Sequence, residues 1–225
     1  MIPTIVFENT SFLVIDKPSG LVVHPFDNST ETTLVDFLHE KYPSMFEIDN
    51  SITLQDGRII PLGGIVHKLD RDTSGVLVVA KDQNTFTELQ SQFKGHTTTK
   101  KYIALVEGVI EKDEFTVDAP LGRNKKEYKQ STIPSNPRGE FRDAITEVKV
   151  LSRNSATTLV ELMPKTGRTH QLRAHMSSIE HPIVGDVAYG ASKKDGRILL
   201  HAQELSFTIG GQNFTFSSPT PIEFK

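Results

Sequence analysis

The sequence predicts an α+β chain in which a mixed, mostly antiparallel sheet carries helices packed on it. Three observations lead there. Runs rich in Val, Ile, Thr and Phe outnumber helical segments. Neighbouring runs such as 144–151 and 157–163 are separated by hairpin-length gaps, which favour antiparallel pairing. Only a few segments repeat apolar residues at helical spacing.

The predicted strands follow in chain order as TIVFE (4–8), SFLVID (11–16), GIVHKL (64–69), GVLVVAK (75–81), KYIALVEG (101–108), AITEVKVL (144–151) and TTLVELM (157–163). Two more lie near 199–207 and 213–216. The first helix, over 33–42, places Leu34, Phe37, Leu38 and Tyr42 on one face and stops at Pro43. The second, over 82–94, starts at an Asp82 cap, repeats Phe86, Leu89 and Phe93, and ends at Gly95. The third, over 169–179, carries Leu172, Met176 and Ile179 and halts before Pro182.

No repeat or Pro/Gly-rich linker divides the 225 residues, so a single domain spanning 1–225 is expected, with a core large enough to need no staples. The absence of cysteine removes thiolate nucleophiles, disulfides, iron–sulfur clusters and Cys-ligated zinc. Lys and Arg number 25 against 28 Asp and Glu, a formal charge of −3, which argues only weakly against a nucleic-acid partner because a local patch suffices. One composition shift stands out. The polar excursion 119–143 holds six basic residues against two acidic ones between Leu121 and Arg142. No targeting signal or bilayer-length apolar stretch is present, so a soluble cytoplasmic protein is expected.

Chemistry concentrates in two places. In 63–82 (GGIVHKLDRDTSGVLVVAKD), Asp70 follows a predicted strand that carries His67 and Lys68. One reading is a plain hairpin, with Asp, Arg, Thr and Ser as turn residues. The other is an aspartate held ionised by nearby cations, suited to nucleophilic or base chemistry. Asp72 fits either a second carboxylate or a turn cap. In 165–176 (KTGRTHQLRAHM), Arg168, His170, Arg173 and His175 crowd a helix start. Cations there oppose the helix dipole, so beside a merely solvated basic face stands a face that meets an anion, carboxylate or phosphate. His170 and His175 are five apart and do not share a face as a zinc pair would. Tyr102, opening a strand behind Lys100 and Lys101, is either an ordinary strand tyrosine or a ring that stacks on a base. Motifs for nucleotide hydrolysis, dinucleotide redox, serine hydrolysis and zinc proteolysis are missing.

Together these pieces resemble the RluA family of RNA pseudouridine synthases. FLVIDKPSGLVVHP (12–25) looks like the family's opening motif, and IVHKLDRDTSGVLVVAK (65–81) like its catalytic motif. KKYIALVEG (100–108) resembles the tyrosine motif, and 165–176 with HPIVGDVAYG (181–190) the basic motif and its trailing segment. The blocks stand in family order across nearly the whole chain. The resemblance implies a pseudouridine synthase fold with a central catalytic cleft, and isomerisation of uridine in ribosomal or transfer RNA without cofactor or metal. It implies Asp70 as the catalytic aspartate, Tyr102 as the ring against the target base and Arg173 as the basic partner of Asp70. His67, Lys68, Arg71, Thr73, Arg168, His170 and Leu172 are the expected substrate-binding residues.

One departure is Lys68, where the family usually has Arg; lysine keeps the charge but cannot stack or fork its hydrogen bonds. The basic excursion, Arg168 and the stretch 94–101 are expected to meet phosphates, and Gly167 to allow close backbone approach or simply to open the helix. No separate N-terminal RNA-binding domain, no membrane and no obligate protein partner are expected, and the chain is expected to be a monomer. Two competing readings are an RNA-binding protein of the same fold without catalysis, and a glycoside hydrolase using Asp70 and Asp72. The second expects aromatic sugar platforms, yet the chain has no Trp.

Overall fold

The computed structural model describes residues 2–26, 30–124, 130–131, 137–192 and 196–224, without the side chains of 123–139. Lys125 and Lys126, within the basic excursion, lie outside the described residues. The chain forms two compact units, Met1–Thr98 with Glu204–Ser218, and Thr99–Gln203 with Pro219–Lys225. Among the described residues no helix is long and apolar enough to cross a membrane.

In the first unit the main strands are β1 (Thr4–Glu8), β2 (Phe12–Lys17) and β5 (Ser74–Ala80). A small hairpin pairs β3 (Ser51–Thr53) with β4 (Ile59–Pro61). Asn9 turns the chain between β1 and β2, its side-chain oxygen accepting from the N–H groups of Ser11 (2.9 Å) and Phe12 (2.8 Å). β2 pairs antiparallel with β1 on one side and β5 on the other. Every residue of β5 is buried, as expected of a continuous apolar run at a sheet centre. Beyond β5 the order continues to β13 (Leu200–Ile209), whose residues 204–209 belong to this unit, and then to β14 (Gln212–Ser217). Fully buried Phe12 meets Phe207 and Phe214 edge-on at 5.2 and 5.1 Å between centroids.

Helix α1 (Leu34–Lys41) starts in a capping box, where Thr33 Oγ1 accepts from Asp36 N–H and Asp36 accepts from Thr33 N–H. Helix α2 (Gln83–Gly95) is capped by Asp82, as predicted. It ends at Gly95, as predicted, and the residue that follows, His96, takes a left-handed conformation (φ 57°). The strand expected over 64–69 does not form. Only an isolated antiparallel bridge, Ile65–Val79, remains of it.

The second unit orders its strands from residues 200–203 of β13 through β6 (Thr99–Glu107), β12 (Thr157–Pro164) and β11 (Ile145–Arg153) to β7 (Glu114–Asp118). The ladders β6–β12, β11–β12 and β7–β11 are antiparallel. The excursion contributes a separate sheet, β8 (Leu121–Asn124) between β9 (Gln130–Ser131) and β10 (Pro137–Arg142). Helix α3 (Gln171–Ser178) presents Leu172 and Met176 to a core that includes Ala104, Val106, Val160 and Leu162. The architecture is therefore the predicted α+β, with mostly antiparallel sheets and three α-helices among the described residues.

Candidate active site

In the first unit Asp70 sits on a loop tied down on both sides. Upstream, Gly64 presses against β5: a Cβ there would fall 1.7 Å from the carbonyl oxygen of Ala80, so only glycine fits. Ala80 N–H donates to Gly64 O (2.9 Å), and Val78 N–H donates to His67 Nε2 (3.1 Å). The His67 ring also stacks on Phe93 of α2, 4.2 Å between centroids and 14° from parallel. Thr73 N–H closes the turn onto Asp70 O (3.1 Å), and Thr73 itself is buried.

Downstream, the segment after β2 clamps the same loop. Lys17 is fully buried and its ammonium donates to the carbonyls of Pro18 (3.0 Å), Leu21 (2.9 Å) and Arg71 (2.9 Å). Three donors on three acceptors make burial of the ammonium tolerable. Ser19 Oγ donates to Asp72 O (2.7 Å), and Gly20, in a left-handed conformation (φ 88°), donates its N–H to Arg71 O (2.8 Å). Asp70 stays half-buried, with exposed Lys68 and Arg71 beside it in sequence. Arg71 also reaches Glu31 (3.1 Å). Within this unit, then, His67, Lys68, Asp70, Arg71 and Thr73 share one fixed segment.

In the second unit the start of α3 divides its basic residues among different tasks. Arg173 is forked onto Asp186, Nε to Oδ2 at 2.6 Å and Nη2 to Oδ1 at 2.9 Å. Its guanidinium also lies over the Tyr189 ring, 4.8 Å from the centroid. His170 is left-handed (φ 52°), and its Nδ1 is hydrogen-bonded to the Tyr189 hydroxyl (3.1 Å). Arg168 donates from Nε to Asp143 O (3.0 Å). Leu172 is buried in the core, against which Tyr102 of β6 also packs while remaining half-buried.

His175 belongs to the interior. Its Nε2 meets the carbonyl of Ala119 (2.9 Å), which can only accept, so that nitrogen carries the proton and Nδ1 accepts from Thr146 Oγ1 (2.9 Å). Thr146 Oγ1 in turn accepts from Gln171 Nε2 (3.1 Å). Burial pushes the His175 pKa down, against smaller opposing effects of the Ala119 hydrogen bond and the Asp118 charge. This buried chain ties α3 to β11. Lys100 is half-buried near Gly167, and desolvation lowers its pKa too. A Cβ at Gly167 would meet nothing nearer than Lys100 Nζ at 3.9 Å, so packing within the unit does not require glycine there.

Lys17, Asp186, Tyr189 and Gln171 were not singled out by sequence reasoning, though all lie in the quoted blocks. A lysine ending an apolar strand directly before Pro-Ser-Gly is the one local signal, because such a cation must find acceptors nearby. Asp186 and Tyr189 carry no signal of their own; only the fold brings them against α3. Among the described residues no three His, Asp or Glu side chains converge as a metal site would require.

The family model described as RNA pseudouridylate synthase matches residues 11–178, which take in the blocks at 12–25, 65–81, 100–108 and 165–176, and the chain belongs to that family. It is 39% identical to "Uncharacterized RNA pseudouridine synthase YlyB" of Bacillus subtilis (strain 168), over 96% of this chain and 69% of the relative. It is 37% identical to "Ribosomal large subunit pseudouridine synthase D" of Nitrosomonas europaea, over 96% of this chain but 62% of the relative's length. Among solved structures, "Human RNA Pseudouridylate Synthase Domain Containing 1" superposes with a TM-score of 0.76 at 27% identity, covering 97% of this chain and 83% of that one.

Proposed function

We propose that this protein converts uridine to pseudouridine within an RNA chain, with Asp70 as the catalytic aspartate. The observation that carries the reading is the double clamp on the Asp70 loop: buried Lys17, Ser19 and Gly20 hold its C-terminal side through the carbonyls of residues 71 and 72. A half-buried carboxylate on a loop whose backbone is held by that many hydrogen bonds suits a group that must meet a substrate in a fixed pose. Tyr102 packs against the target base, and Arg173, pre-set by Asp186, is the basic partner of Asp70. Lys68, Arg71, Arg168 and His170 line the path of the RNA, while Thr73 and Leu172, both buried, support it from inside their own units. The two units act as one catalytic domain in a cytoplasmic monomer.

The reaction breaks the bond from N1 to C1′, turns the uracil and joins C5 to C1′. The hydrogen on C5 leaves to water, and N1 gains a proton. The curated relatives named for the large ribosomal subunit make ribosomal RNA the first substrate to try; transfer RNA is the second.

RNA carrying tritium at uridine C5 tests this directly. The purified protein is expected to release tritium to water and to leave pseudouridine on nucleoside analysis. Tight RNA binding with no release from either RNA pool would favour a binding protein of the same fold.

A further inference from the structure

The loop that carries Asp70 leaves the sheet at one definable point. Ile65 bridges Val79, and Ala80 N–H donates to Gly64 O (2.9 Å). Had this ladder run one pair further, Val78 N–H would have met the carbonyl of Val66. It meets His67 Nε2 instead, at 3.1 Å. The imidazole thus replaces a strand carbonyl and frees the backbone to turn three residues before Asp70. The ring is held in that position by its stack on Phe93 (4.2 Å, 14°), a residue of α2 in the same unit.

We infer that His67 is a positioning residue: it sets the height of the Asp70 loop on β5 and is not a contact to RNA. The inference rests on the reading of Asp70 as the catalytic aspartate. Between the Gly64 tie and the Asp70–Thr73 turn, the backbone of 66–69 has left the ladder, and His67 and buried Leu69 anchor this stretch to the unit. An acceptor at that place is needed because β5 is fully buried, and a buried N–H without a partner is costly. The chemistry asked of residue 67 is therefore a flat, neutral acceptor, a demand lysine, arginine or an aliphatic side chain cannot meet.

Two variants separate the roles. His67→Phe keeps the ring stack and loses the acceptor; His67→Gln keeps an acceptor and loses the ring. Tritium release gives kcat and KM, while hydrogen exchange at the amides of Thr73 and Gly20 reports the order of the Asp70 loop. For His67→Phe we expect kcat to fall about thirtyfold or more with KM within about threefold, and faster exchange at Thr73 and Gly20. His67→Gln should recover most of kcat. A raised KM at unchanged kcat would make His67 an RNA contact and overturn the inference, as would Thr73 and Gly20 exchange unchanged from wild type. If His67→Phe does not fold, His67→Gln decides alone: retained kcat supports positioning, and a folded variant with lost kcat contradicts it. A wild type that releases no tritium would count against the proposed function, whereas the exchange measurement would still judge the placement of the loop.

Discussion

Arg173 and Asp186 form a forked ion pair in which the carboxylate is wholly buried and the guanidinium side chain is 11% exposed. The cations crowding the start of α3 read either as a solvated basic face or as a face that meets an anion; for Arg173 the second holds, within one unit, through an aspartate the sequence did not single out. The pair freezes a long side chain that would otherwise sample many rotamers, and Tyr189 covers its face.

Removing one member leaves the other buried and uncompensated. Arg173→Met is expected to cost about 3–5 kcal/mol and Asp186→Asn about 1–3 kcal/mol in chemical denaturation. The double variant should lose clearly less than the two together. Additive losses would mean that the pair is not coupled. Asp186→Asn should also lower turnover through a loosened Arg173, with RNA affinity little changed.

Lys17 makes a second prediction. Lys17→Met matches its stem but strips the carbonyls of Pro18, Leu21 and Arg71 of their shared donor. Stability should fall by at least about 2 kcal/mol, since each buried orphan costs about 1–3 kcal/mol. Turnover should fall beyond what unfolding explains, because the Asp70 loop loses one side of its clamp. A variant of unchanged melting temperature and turnover would refute the clamp.

His175 sets an acid limit on stability. Its pKa is lowered in the folded state from the ordinary 6.5 by burial, so below that value the unfolded chain binds a proton that the folded chain refuses. Stability is therefore full above the ordinary value and declines as the pH falls through it. The lowered carboxyl groups of Glu8, Asp56 and Glu223 act further down, since their ordinary values are 4.5, 3.8 and 4.5. Melting temperature should drop as the pH falls below about 6.5 in the wild type and stay more nearly flat there in His175→Gln. An equal slope in both would clear His175 of the effect.

The parts of this chain that could be read in advance are those where one physical cause dominates. Asp82 caps α2 because a side-chain oxygen before an amphipathic run has few other uses; the Thr33 capping box of α1 was not foreseen. β2, β5, β6, β11 and β12 follow from apolar runs bounded by turns. The stretch GIVHKL misled because its composition is that of a strand, while His67 supplies through its side chain what a strand supplies through its backbone. The short strands β3, β4 and β7 to β10 lack apolar length and exist only where a neighbour completes them. Asp70, Tyr102 and Arg173 stood out through local chemistry and family resemblance. Asp186 lies in the trailing segment HPIVGDVAYG (181–190) but carries no signal of its own there, and it became visible only when folding set it against Arg173 of α3.

The central claim is that Asp70 does the chemistry and does not hold the RNA. The direct measurement is tritium release and RNA binding by Asp70→Asn beside the wild type, with the clamp on the loop left intact. The account predicts release from the wild type alone, with RNA affinity of the variant within a few-fold. Release by Asp70→Asn at a rate comparable to the wild type would contradict it.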